Sequence, residues 1–138
     1  MIVLDEQLLG YGLRDPIARW YRETVTDVTQ LRPHTVIQDE AIPALLRTAH
    51  QPTFVTINVA DFWRRLAPAA QFCMACFAVS HTRALEIPDL LRRLFALEQF
   101  RTRSQRLGKM ARVSHRHVQY YTTDTRVVHL IDWPRARR

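Results

Sequence analysis

Residues 72–79 read FCMACFAV, eight apolar residues in a row. A strand with this pattern has no face to offer water and must be covered on both sides, as the central strands of parallel sheets are. The run is too short to cross a bilayer, which takes about 20 residues as a helix. Shorter runs at Ile2–Leu4, Val25–Val28 and Thr53–Thr56 read as companion strands. Helix signals lie between them. Asp15-Pro16 starts a helix through Ile17, Trp20 and Tyr21, with Pro where its missing N–H costs nothing. Residues 29–36 read as a loop around Pro33 and His34. Asp39-Glu40 opens a helix through Ala41, Leu45, Leu46 and Ala49, two acids suiting its dipole and Pro43 falling early enough to be tolerated. A short helix is expected near Trp63–Leu66. Pro88-Asp89 starts one whose stripe is Leu90, Leu91, Leu94, Phe95 and Leu97. This alternation predicts an α/β fold with a mainly parallel central sheet flanked by helices. Val118–Thr122 and Arg126–Trp133, joined through Thr123-Asp124-Thr125, predict a β-hairpin.

The 138 residues suit one compact domain. No leader pattern or membrane span is visible, and two cysteines make no disulfide framework, so the cytoplasm is the expected compartment. Charge divides the chain. Residues 1–100 hold ten Arg against eleven acids, a net charge of −1, whereas residues 101–138 hold nine Arg and Lys109 against Asp124 and Asp132, a net charge of +8. The reading is therefore a core at 1–100 with a basic extension, 101–138, packed on it. Such asymmetry suits a polyanion. Arg101, Arg103, Arg106, Lys109, Arg112 and Arg116 recur every two to four residues, a spacing that places several on one face of a helix as phosphate contacts. Tyr120 and Tyr121 are expected to pack the hairpin, one ring in and one out, rather than to stack on bases.

Acids follow the strands. Asp5 and Glu6 come directly after the first, Asn58 and Asp61 after the third, and Asp39 and Glu40 begin the helix that feeds the third. Ligands of open α/β sheets bind beyond the carboxyl ends of the strands. Hard oxygen donors gathered there suit Mg²⁺ or Mn²⁺. Taken singly, each acid reads first as a helix cap or a solvated strand end, since exposed acids are common.

The order LDEQL, TDVTQL, QDEAI, FVTINVADF over residues 1–97 resembles the PIN-like nuclease domains, in particular their VapC-like toxin components. The resemblance implies a Rossmann-like PIN fold and a metal-dependent ribonuclease acting on RNA, with a cognate antitoxin protein as partner. A homodimer is compatible with it, and a membrane role is not implied. By position it implies Asp5, Asp39 and Asp61 as catalytic residues, with Glu6, Glu40 and Asn58 as further metal donors. Asn58 brings an amide oxygen where many relatives have a carboxylate. Two other classes are a nucleic-acid-binding module whose metal site has decayed and a protein-interaction subunit that holds an acidic partner with its basic tail.

Other constellations carry less. Cys73 and Cys76 stand three apart in a strand and point to opposite faces, as buried small residues. Ser80-His81-Thr82-Arg83 follows the fourth strand and borders the same edge. His115 and His117 lack a third ligand nearby. Glycines at 10, 12 and 108 alone exclude a P-loop, and Gln7 excludes an Asp-x-Asp phosphatase.

Overall fold

The computed structural model describes residues 1–134. Among these, seven strands form one sheet: β1 (Ile2–Leu4), β2 (Val25–Asp27), β3 (Thr53–Thr56), β4 (Cys73–Phe77), β5 (Lys109–Val113), β6 (His117–Thr122) and β7 (His129–Asp132). Their order is β2-β1-β3-β4-β5-β6-β7. The first five pair in parallel, and β6 and β7 turn back antiparallel. The α/β class, the mainly parallel sheet and the final hairpin are therefore present as expected.

Strand side chains alternate between two apolar layers. Ile2, Leu4, Val55, Cys73, Ala75, Phe77, Ala111 and Val113 face one layer. Val3, Phe54, Met74, Cys76 and Met110 face the other. The first layer is closed by α1 (Arg14–Ala18) and α5 (Ile87–Ala96), through Ile17, Leu90, Leu91 and Leu94. The second is closed by α2 (Val28–Leu31), α3 (Ile42–Thr48) and α4 (Val59–Phe62), through Val28, Leu45, Leu46 and Phe62. A sheet covered on both faces is what the charge-free run at 72–79 demands. The two cysteines are free and buried on opposite faces; burial pushes the Cys73 thiol up to about 12, so both act as apolar filling.

Several local expectations are corrected. The helix begun at Asp15-Pro16 stops at Ala18, so Trp20 and Tyr21 lie beyond it and meet Phe95 edge-on, at 5.8 and 6.0 Å between ring centres. The expected loop at 29–36 opens with α2 instead, because the Asp27 carboxylate caps it by accepting from the Thr29 and Gln30 N–H groups at 2.9 and 3.1 Å. The expected helix at 63–66 lies earlier, at Val59–Phe62, where Asn58 caps it.

The largest difference falls in the basic segment. The expected helical Arg series is broken between a four-residue helix, α6 (Arg103–Arg106), and β5, a fifth parallel strand in mid-sheet. The sheet thus runs across residue 100 without a break, and 109–132 supply three of its strands. Residues 135–138 of the expected extension lie outside the described residues. Both tyrosines are packed, but on opposite faces of the sheet. Tyr120 lies between Phe100 and His129, and Tyr121 meets Trp63.

Candidate functional site

Strand order reverses between β1 and β3, since β2 lies on one side of β1 and β3, β4 and β5 follow on the other. In doubly wound sheets that reversal opens a crevice at the carboxyl ends of the strands. Asp5 stands at this point. Its N–H continues the ladder by donating to the Val55 carbonyl at 2.9 Å. The chain then turns into a 3₁₀ turn at Glu6–Leu8, whose Leu8 is buried. Asp5 is thereby held at the strand end, only 6% exposed.

A hydrogen-bonded chain leads from Asp5 to the next acid. The Thr56 hydroxyl donates to Asp5 Oδ2 at 2.6 Å and accepts from the Asn58 N–H at 3.0 Å. Asn58 Oδ1 accepts from the Asp61 N–H at 3.2 Å, and Asn58 Nδ2 donates to Asp61 Oδ2 at 2.7 Å. Thr56 is fully buried within an otherwise apolar strand end. A hydroxyl in that position needs a partner, and it finds Asp5.

Asp39 joins from the far side, at the start of the 3₁₀ turn Asp39–Ala41 that precedes α3. Burial holds its carboxyl above the usual range, and the charges of Asp61, Asp5 and Glu40 push the same way. Burial likewise raises the Asp5 carboxyl, against the hydrogen bond from Thr56. Two clefts meet at Asp61. One is lined by Asp39, Glu40, Arg65 and Leu66. The other includes Gln7, Asn58, Val79 and His81, and the His81 ring lies 2.9 Å from the Tyr11 hydroxyl.

The sequence-predicted acids thus fall at one edge, but in unequal roles. Asp5 is buried, Asp39 half-buried, and Glu6, Glu40 and Asp61 are exposed. Asn58 acts as cap and tether, its amide engaged on both sides by Asp61. As placed, no three His, Cys, Asp or Glu side chains among the described residues form a group able to hold a metal ion. The donor set itself, carboxylates with an amide, is of the hard-oxygen kind that fits Mg²⁺ or Mn²⁺. Thr56, Gln7 and Arg65 belong to this edge and carry no signal in a search for acids; only the lone hydroxyl of Thr56 amid apolar neighbours hints at a buried partner.

Compared with known proteins, the chain matches no family model, no curated protein and no solved structure.

The basic series does not form one surface. Arg106 is 8% exposed, donates to the Phe100 and Arg101 carbonyls at 3.0 and 3.2 Å, and lies over the Phe95 ring. Lys109 donates to the Gln99 carbonyl at 2.6 Å. Arg103 pairs with Glu23, and Arg112 reaches Gln119 at 3.4 Å. Arg101 and Arg116 are exposed. The basic heads of Arg106 and Lys109 serve chiefly to satisfy carbonyls, which a count of charges along the chain does not reveal.

Proposed function

We propose that the protein is a divalent-metal-dependent ribonuclease of the PIN-like kind, and the toxin component of a toxin–antitoxin pair. The reading is carried by Asp5: a buried carboxylate at the strand-order reversal, tied through Thr56 and Asn58 to Asp61, with Asp39 close enough to feel the charges of both. Mutual repulsion of this kind is relieved by a cation. Asp5 is the central ligand in this proposal and Asp61 the second, with Glu6, Glu40 and Asn58 supplying further oxygens. Bound Mg²⁺ or Mn²⁺ would activate a water and neutralise charge on the phosphodiester. Asp39 or Glu40, at the start of the turn before α3, would orient that water. Thr56 fixes the orientation of the Asp5 carboxylate by donating to Oδ2.

Incubation of a labelled single-stranded RNA with the protein tests the reading. Cleavage is expected to be absent in EDTA and restored by Mn²⁺, with 5′-phosphate ends on the products. Cleavage that ignores EDTA, or no cleavage in any divalent metal, would sink it.

A second reading is a nucleic-acid-binding module without cleavage. The tethered Asn58 amide favours it. The two separate on Asn58→Asp. If the edge holds metal, an added carboxylate tightens Mn²⁺ binding in titration calorimetry by about tenfold, the effect of roughly 1.4 kcal/mol from one more favourable charge. Unchanged or weaker binding would favour the module.

A further inference from the structure

Next to the acids lies a cavity of about 250 Å³ with the opposite charge. Arg64, Arg65 and Arg126 line it, over a floor that includes Leu66, Pro68 and Tyr121. None of the three guanidinium groups is in an ion pair among the described residues. All three residues are exposed. Arg65 and Leu66 also line the cleft of Asp39, Glu40 and Asp61, so the two hollows share a wall.

The segment carrying these arginines is held in place. Tyr121, buried in β6, donates its hydroxyl to the Leu66 carbonyl at 3.3 Å and accepts from the Arg64 N–H at 3.0 Å. That clamp keeps Arg64 at φ 61°, a left-handed conformation uncommon for a residue with a side chain. Such strain persists only where the surroundings impose it. The turn after α4 is therefore fixed, and it sets two adjacent arginines at the cavity mouth, with Arg126 contributed from the loop between β6 and β7.

We propose that Arg64, Arg65 and Arg126 bind successive backbone phosphates of single-stranded RNA and seat the strand so that it continues past Leu66 to the acidic edge. Guanidinium forks match phosphate oxygens in pairs. The floor of Leu66, Pro68 and Tyr121 gives the splayed sugar and base of an unpaired strand an apolar surface beside the guanidinium groups, whereas the bases of a duplex stay stacked away from it. The continuation to the acids rests on the nuclease reading; the phosphate contact does not.

The test is fluorescence anisotropy of a labelled single-stranded RNA on the full chain, in EDTA, over a series of salt concentrations. The pocket variant is Arg64→Asn/Arg65→Ser/Arg126→Ser. Asn is among the residues that tolerate the left-handed region, so the turn is kept. A charge-matched control is Arg19→Ser/Arg22→Ser/Arg92→Ser, three exposed arginines elsewhere. The pocket variant is expected to lose affinity by about tenfold or more and to flatten the salt dependence by roughly two units, at about 0.7 per phosphate contact on a single strand. The control is expected to flatten it far less. Equal effects in the two variants, or none in the pocket variant, would overturn the assignment. So would a poly-glutamate peptide that binds as tightly as RNA and is lost with the same three arginines. Should the triple variant fail to fold, Arg126→Ser alone keeps the test, with an expected change of about 0.7 and overturned by none. Because binding is read without metal, its failure and the failure of metal-dependent cleavage are separate results.

Discussion

Asp5→Asn is expected to give a folded protein whose metal-dependent cleavage of RNA falls by roughly a thousandfold or more, the scale of loss when one member of a group acting as a unit is removed. The same change is expected to raise the melting temperature of the metal-free protein by a few degrees at neutral pH. Burial raises the Asp5 carboxyl above its unfolded value, so the native state holds the proton more tightly than the unfolded chain. Stability is then highest where the group is protonated in both states, and it falls as pH rises from the ordinary carboxylate range through the raised native value. Asn removes that fall and still offers the Thr56 hydroxyl an oxygen. The gain should therefore be present at pH 7 and vanish in acid, below the usual range of aspartate. Thermal melts of the two proteins against pH, with cleavage assays in Mn²⁺, check both halves. A folded variant that cleaves normally would remove Asp5 from the chemistry. Growth arrest on expression of the unaltered chain, lost with Asp5→Asn, is the matching outcome for a toxin role.

Arg106→Ala is expected to cost about 2–4 kcal/mol of stability, near 10 °C in melting temperature, and to leave the salt dependence of RNA binding unchanged. The guanidinium is buried and donates to two carbonyls, Phe100 and Arg101, which keep no other described side-chain donor once it is gone. Its stacking over Phe95, at 4.0 Å from the ring centre, is lost as well. Removing the donor takes from the buried Phe100 carbonyl its side-chain partner, the costly side of the hydrogen-bond asymmetry. A variant with unaltered stability and a shallower salt dependence would return Arg106 to the set of phosphate contacts that the spacing of the basic residues suggests.

Residues with a single environment were readable in one dimension. Thr53–Thr56 and Cys73–Phe77 are buried on both faces, and their lack of charge declares it. The Lys109–Val113 strand hides because it carries two cations. Lys109 reaches past the end of its neighbours to cap the Gln99 carbonyl, and Arg112 reaches Gln119 on the adjoining strand, so long side chains keep their heads wet or bonded while the backbone sits in mid-sheet. The same logic limits the site. That Asp5 and Asp61 follow strands is visible in the order of residues. Which acid is buried, which is capped and which faces an arginine depends on a threonine 51 positions away and on where α3 begins. Asn58 shows the limit plainly: as a letter it is a weakened ligand, and in the fold it is the cap of α4 and the tether of Asp61.

The reversal between β1 and β3 also bears on the order of assembly. The strands β5, β6 and β7 follow one another through the short connections 114–116 and 123–128, so their pairing is local and fast. The Asp5–Thr56 bond instead closes a span of 51 residues, and β1 finds both its neighbours only after two crossovers have been laid down. Loop entropy must be met before such contacts are rewarded. The acidic edge consequently becomes complete only after the distant strands have docked, and a partly folded chain, however much of its C-terminal hairpin is formed, carries Asp5 solvated, unheld and inert.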